Sequence, residues 1–545
     1  MIRIEHASAD VLQQSAFALQ ALSGRLPREL VHVPRTIASI AKPNDRWDRE
    51  ERAELATTLA RELGTLAPHV AVVDALRKLE KPGTFAVITG QQPGFLASPL
   101  YSLYKALQSI ALARELEKSW GTPVVALFWN HADDSDLAEV NHAHVVNVNL
   151  DLQKITLAAL ASGKQPLSRI FLDDETHRLA AIRAALAQLV DKDPFAARAL
   201  EIFVPKNGES LARAFTRAFT ELLGPLGLLV IEPDWIRPQM SHELSRIVAI
   251  DPAAALARGV ERVKAAGLEV AIDPTTAALV FELDAKGRRA LRAGGDGFRY
   301  DGEDGSRTGT ELAAEIVQNP LAWSPGALLR PVIQDLVLPT VAYVGGFGEL
   351  AYHVELGDLR DAASAPRTAF VPRISATLVD PEARLALRRL EVDVATVLRA
   401  RGVYTADAAA APPPAVLARM NEIAKRTSKE LASLKSMLAE LDAGLAAHLK
   451  RTGDAIEELV AKLVEKGERV HQNKSGKGRR HERRANNVLF PKLAPQERVL
   501  GPLTYVARFG EDWVHELCAE MEPLAPEHLL VNLAPEIELE DNGTA

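Results

Sequence analysis

Only one cysteine, Cys518, occurs in 545 residues. That excludes an intrachain disulfide and any zinc site built from several cysteines. Aromatic residues are scarce, at 5%, so core volume must come from Leu, Val, Ile and Ala. No unbroken run of ~18 apolar residues appears, so no spanning helix and no membrane partner are expected. The opening MIRIEHASAD lacks the apolar centre of a secretion signal. A strong charge of one sign is missing too. The formal net charge of −8 and pI of about 6.0 are a small imbalance over this length, and they do not argue for a nucleic-acid partner. The 47% hydrophobic content excludes disorder as the dominant state. A cytoplasmic protein of about three or four domains or subdomains is expected.

Residues 1–80 read as mostly helical. Leu12, Phe17, Leu19 and Leu22 suggest one apolar face, and 48–63 is rich in helix formers. Residues 85–89 (FAVIT) read as a buried strand ended by Gly90. Ser98-Pro99 resembles a helix N-cap followed by a first-turn proline, and Leu100, Leu103, Leu107 and Ile110 follow at helical spacing. Residues 124–129 (VVALFW) make a second buried strand. The result is a βαβ unit in a covered parallel sheet, where ligands bind beyond the strands' carboxyl ends, here TGQQPG and NHADDSD.

Residues 147–315 read as an α/β insertion, with candidate strands at 203–205, 228–232 and 279–283, a helix over 211–223, and a small meander turning at 284–287 and 294–297. Sheet chemistry returns with a strand at 340–344 and a helix over 349–356. Leu431, Leu434, Leu438, Leu441 and Leu445, then Ile456, Leu459 and Leu463, form a coiled-coil seam. Three prolines in 405–414 and a stutter near 448–452 favour an antiparallel helical hairpin over one rod. Residues 471–484 read as a basic loop carrying Arg479, Arg480, Arg483 and Arg484, a solvated hairpin end by default. Residues 485–535 look folded again, anchored by Tyr505, Phe509 and Trp513, and the acidic last ten residues look frayed. The expected division is 1–146 (N-terminal helices and first half of the core), 147–315 (insertion), 316–380 (second half of the core), 381–484 (coiled coil) and 485–545 (a segment packing back on the core).

Three constellations could carry chemistry. The turn Thr89-Gly90-Gln91-Gln92-Pro-Gly94 offers a close backbone approach and uncharged donors and acceptors, or it is only a tight βα turn; it matches neither a P-loop nor GxGxxG. Asp133, Asp134 and Asp136 in NHADDSD repel one another and need a cation, a basic partner or solvent, which fits hard-metal coordination, recognition of a substrate amine or only a solvated acidic loop; no metal is assigned. Arg330 in RPVIQD, ahead of Gly345-Gly-Phe-Gly348-Glu349, could hold a carboxylate or phosphate, or sit in a structural ion pair. Cys518, in a helical stretch, is expected to be buried and inert.

Together these blocks resemble the bacillithiol biosynthesis cysteine-adding enzyme family. The matching pieces are VITGQQPGFLASPLYSLYKA (87–106), VVALFWNHADDSDLAEVNH (124–142), LLRPVIQDLVLPTVAYVGGFGELAYHVEL (328–356), FVPRISATL (370–378) and LFPKLAPQERVLGPLTYVARFG (489–510), about a fifth of the chain in the family's order. The resemblance implies a Rossmann-like parallel-sheet core similar to class I aminoacyl-tRNA synthetases, with an α/β insertion and an α-helical coiled-coil domain. It implies a ligase that adds cysteine to glucosaminyl-malate, a homodimer, and ATP or ADP as the nucleotide. Carried over by position, the catalytic residues are Asp134, Asp136, Gln92 and Lys105. Substrate contacts fall to Thr89, Gly90, Gln91, Gly94, Tyr101, Trp129, Asp133, Asn141, Arg330, Gln334, Asp335, Glu349 and Arg373. Gln496, Arg498 and Tyr505 match the region near the nucleotide.

One departure stands out. Where the family reads Glu-Asp-His-Asp, this chain reads Asp133-Asp134-Ser135-Asp136. If that histidine is the general base, this chain is impaired or uses another group, with His131 and His142 as the candidates. Ser135 keeps open a related ligase on another amino-sugar and amino-acid pair, and the seam keeps open a nucleotide-binding scaffold without catalysis.

Overall fold

The computed structural model describes residues 2–157, 164–294, 297–301, 303, 305–403 and 478–537, with six isolated positions between 419 and 459. The leucine seam, the proline-rich connection and 471–477 lie outside the described residues, apart from Leu459.

Five parallel strands build the central sheet in the order β12-β11-β2-β3-β6: β2 is Phe85–Gln91, β3 Val124–Asn130, β6 Leu229–Ile231, β11 Thr340–Gly345 and β12 Ala369–Pro372. Strand side chains alternate between faces. Phe85, Val87, Ala126 and Phe128 therefore enter one core, while Ala86, Ile88, Val125 and Leu127 enter the other. Both faces are covered, as a parallel sheet of continuous apolar strands requires. The crossover helix α1 (Leu100–Trp120) is buried along most of its length and stops at Gly121, whose left-handed conformation caps it. Pro99, in extended conformation, occupies the N-cap position, and Ser98 makes no capping bond, so the expected Ser98 cap is corrected: the helix starts one residue later than the sequence signal placed it.

A second sheet, β1-β14-β13, joins the two ends of the chain. β1 (Ile2–Ala7) runs antiparallel to β14 (His528–Leu533), and β13 (Ser375–Val379) runs parallel to β14. The helical reading of 1–80 is thereby corrected at its start: IRIEHA has no strong strand pattern of its own, and its pairing with β14 decides. Leu19 is exposed, and its helix buries Ala18 and Ala21 instead. The helix Arg49–Gly64 forms with Asp48 as its N-cap.

The stretch 147–315 is more than an insertion, since it supplies β6 to the central sheet. Its antiparallel meander contains β7 (Ala278–Asp284), β8 (Gly287–Gly294) and β9 (Gly297–Tyr300), and gains β10 (Trp323–Pro325) from beyond the expected boundary. A hairpin of β4 (His142–Val146) and β5 (Leu152–Thr156) follows the acidic loop. Helix α2 (Leu211–Leu223) forms over the expected residues. Residues 203–205 are not a strand: Phe203 ends the helix Ala196–Phe203, whose buried face of Ala199, Leu200, Ile202 and Phe203 had read as a short apolar run. Residues 478–489 are helix α5 (Gly478–Leu489) rather than basic loop, with Ala485, Val488 and Leu489 buried. Cys518 is buried against α1, and burial pushes its thiol up to about 11, so it stays an unreactive thiol.

At the end of β6, Glu232 is 5% exposed and accepts a 2.6 Å hydrogen bond from Thr216, which also accepts one from Asn130 at the end of β3. Burial raises the Glu232 carboxyl to about 7, against the pull of Thr216. The folded chain thus holds a proton that the unfolded chain releases from about pH 4.5, and stability from this group falls as pH rises from about 4.5 through 7. Glu232→Gln is expected to remove that loss. Its stability relative to wild type should rise between pH 5 and pH 8 by up to about 3 kcal/mol in urea unfolding, and a pH-independent difference would contradict this.

Candidate active site

The register pairs Gln91 with Asn130, so the 90–94 turn and the 131–136 loop leave the sheet side by side, and the His131 amide donates to the Gln91 carbonyl at 2.9 Å. A Cβ on Gly90 would sit 2.6 Å from the Trp129 carbonyl oxygen and 2.7 Å from His131 Nε2. Gly90 is therefore demanded by the packing of the two strand ends. Gly94 folds tightly onto the Ser98 carbonyl. Gln92 Nε2 bridges the loops, donating to Asp134 Oδ2 at 2.5 Å and to Glu139 Oε2 at 3.0 Å.

Beneath this junction lies Lys105 of α1, 1% exposed. Its ammonium donates to the Gly90 carbonyl (2.6 Å), Gln91 Oε1 (3.2 Å) and Glu349 Oε2 (2.7 Å), which uses all three N–H donors. Glu349 belongs to α4 (Phe347–His353) and also accepts from the Tyr343 hydroxyl of β11 (2.6 Å) and the Gly346 amide (2.8 Å). Burial pushes the Glu349 carboxyl upward, but Lys105 and these hydrogen bonds pull it below the usual carboxylate value, while burial lowers the Lys105 ammonium against the pull of Glu349.

Around the pair stands a cationic wall. Arg330 of α3 (Arg330–Val337) donates to Gln334 (3.1 Å) and to the Tyr352 hydroxyl (3.2 Å). Arg373 pairs with the buried Glu497 at 2.7 Å, and its guanidinium lies 5.3 Å from the Tyr101 ring centroid. Tyr101 receives a 3.3 Å hydrogen bond from Gln91, and burial raises its phenol above the ordinary value against the pull of Arg373 and the exposed Arg498. On the acidic side, Arg237 holds Asp133 in a two-pronged contact and also holds Asp234. Asp136 is exposed and caps the short helix Leu137–Val140, and Asn141 ends that helix beside His142. Of the two candidate histidines, His131 belongs to this cluster. Burial, then Arg330 and Lys105, hold its ring well below the ordinary imidazole value, hence neutral. His142 instead packs edge-on to His144, near Lys154 and Lys492.

Several expected site residues serve other ends. Asp335 is buried in an ion pair with Arg360 (2.5 Å) and accepts from Thr368 and Gln334. The Thr89 hydroxyl donates to the Val344 carbonyl, tying β2 to β11. Trp129 is buried in the core under the sheet. Gln496 is fully buried and spends its amide on the backbone of Leu378 and Val488, while Tyr505 is buried edge-on to Trp513. Of the three residues carried over for the nucleotide, only Arg498 presents its side chain to solvent, so the trio does not form a pocket for the group. The sequence reading missed Tyr343, Tyr352, Arg237, Arg288 and Glu497. Each enters through a strand or helix whose local pattern does not point to the site.

The family model described as the N-terminal Rossmann-like domain of bacillithiol biosynthesis BshC matches residues 34–374, and that of its C-terminal coiled-coil domain matches 376–533. The chain belongs to the bacillithiol biosynthesis BshC family. Relatives named as candidate cysteine ligases BshC include those of Koribacter versatilis (27% identity; 89% of this chain, 90% of that one), Solibacter usitatus (29%; 80% and 82%) and Shouchella clausii (28%; 89% and 93%). A solved structure of a candidate arginyl-tRNA synthetase from Campylobacter jejuni aligns at a TM-score of 0.21 with 11% identity, over 83% of this chain and all of that one, too low to bear on the synthetase-like expectation. No helix among the described residues is long and apolar enough to cross a membrane.

Within this BshC chain, Lys105→Met should cost about 3 kcal/mol in urea unfolding, because it strands Glu349 without its counter-charge. Adding Glu349→Gln should recover part of that loss. Equal stability of the single variant and wild type would contradict the role given to the pair.

Proposed function

We propose that this chain forms an amide bond between the carboxyl group of cysteine and the amine of glucosaminyl-malate. The observation that carries the reading is the two-sided character of the site. Asp134 and Glu139, tied together by Gln92 and met by Arg288 at 3.5 Å, make one side mainly acidic, while Arg330 and Arg373 stand with the Lys105–Glu349 pair on the other. Substrates bearing both an amine and carboxylates fit that division of charge.

In this reading Asp134 receives the amine, and Gln92 fixes the rotamer of Asp134. Lys105 has no free donor and acts as a positioning residue that sets the 90–94 turn. His131, with Nε2 enclosed against Gly90 and its ring held well below the ordinary imidazole value, is too weak a base for the amine and braces the strand-end junction instead. The sugar nitrogen bonds to the carboxyl carbon of cysteine as one carboxyl C–O bond breaks; in the overall balance that oxygen leaves with two protons of the ammonium as water, a loss that a nucleotide, when bound, would drive. ATP or ADP, a homodimer and an intracellular site of action belong to the proposal through the family alone, and no step here is assigned to the nucleotide. Ser135 favours a second reading, a related ligase on another amino-sugar and amino-acid pair.

Incubation with cysteine, glucosaminyl-malate and ATP, read by mass spectrometry, should yield bacillithiol with the wild type. Asp134→Asn should lower kcat/KM by about a hundredfold, or ~2.7 kcal/mol of transition-state stabilisation. Wild-type turnover in Asp134→Asn removes Asp134 from the mechanism. A product only with a different amino sugar selects the second reading.

A further inference from the structure

The turn between β7 and β8 is fastened to the acidic loop through residues 164–169. The Arg288 amide donates to the Lys164 carbonyl (2.8 Å), Gln165 to the Ala285 carbonyl (2.9 Å) and Arg169 to the Asp284 carbonyl (3.0 Å). Gly287, at φ +127°, lies so close to the Lys164 carbonyl that a Cβ would collide with it. The same segment grips the acidic loop: Leu167 N donates to Asp134 O (2.8 Å) and Ser168 N to Ala132 O (3.0 Å). The meander thereby delivers one side chain, Arg288, to Asp134.

Two arginines meet the acidic loop, and they are unequally used. Arg237 spends three hydrogen bonds on the two carboxylates of Asp133 and Asp234. Arg288 lies flat over Phe281, its Cζ 3.7 Å from the ring centroid, with only 10% of its side chain exposed. Its one charged contact among the described residues is a long 3.5 Å reach to Asp134 Oδ1, and its Nε is sealed without a partner. A guanidinium offers five N–H donors, and burying them unpaired is costly. A planar oxyanion bound beside Asp134 would pair with the donors left over. Asp134 and Glu139 nearby disfavour a doubly charged phosphate and tolerate a singly charged carboxylate better.

We propose that Arg288, brought in by the β7–β8 hairpin, is a carboxylate-binding specificity residue beside the acidic loop. The proposal rests on the amide-forming reading for the identity of its ligand, which is a carboxylate of the malate moiety or that of cysteine.

Calorimetric titration of the full chain tests it with glucosaminyl-malate against its dimethyl ester, and cysteine against its methyl ester. The wild type should prefer one acid over its ester by at least about tenfold, and Arg288→Met should shrink that preference to about twofold or less. Arg288→Lys, which keeps the charge and loses the fork, should lie between, and it carries the test if the methionine variant fails to fold. A shift in the malate pair assigns the malate carboxylate, and a shift in the cysteine pair assigns the amino acid. Unchanged preferences in both pairs, or no preference in the wild type, overturn the proposal. Turnover assays alongside separate the two readings. Arg288-dependent carboxylate binding with no amide product rejects the ligase, whereas normal turnover with an unaltered preference in Arg288→Met rejects only the arginine.

Discussion

The ammonium of Lys105 is the fixed point of this molecule. A buried cation is tolerable only when every donor is matched and a counter-charge is near. Here the three partners come from three places in the chain: the Gly90 carbonyl, the Gln91 side chain and the Glu349 carboxylate. Satisfying one charge thus sets the 90–94 turn, the entry of α4 and the Tyr343 hydroxyl in a single arrangement. The site is built around a charge that does not itself reach solvent.

From that fixed point the chemistry divides by sign. Acidic groups gather beyond β3, with Arg237 and Arg288 among them, and basic groups gather around Glu349, where Arg330 of α3 and Arg373, just after β12, stand. Arg237 neutralises Asp133 and leaves Asp134 as the acidic group nearest the amide-rich turn. Among the described residues, no cluster of three or more histidine, cysteine or carboxylate side chains is placed to hold a metal ion. The hairpin docked through Lys164 and Gly287 closes the acidic side, which makes the stretch after residue 146 part of the site as well as a supplier of β6.

Much of this was legible in the sequence. Strand β3 and helix α2 are marked by local signals alone, as are the two strand-end loops, because apolar periodicity and Gly or Pro punctuation dominate there. What was hidden depends on partners distant in the chain. Ile2–Ala7 becomes a strand because β14 pairs with it, and Asp335 leaves the site because Arg360 claims it. The polar side chains of Gln496 and Tyr505 looked functional, and only packing reveals that they brace the fold. Arg288 follows a turn whose sequence says hairpin and nothing about the acidic loop on which that hairpin lands.

The central claim is that the 90–94 turn, set from below by Lys105, and the 131–136 loop, tied to that turn by Gln92 and the His131 amide, receive the substrates between them. Hydrogen–deuterium exchange with and without cysteine and glucosaminyl-malate tests it most directly. Slower exchange at the amides of both segments, with the sheet interior unchanged, is the result expected. Protection confined to other parts of the chain, with both segments exchanging as before, would contradict it.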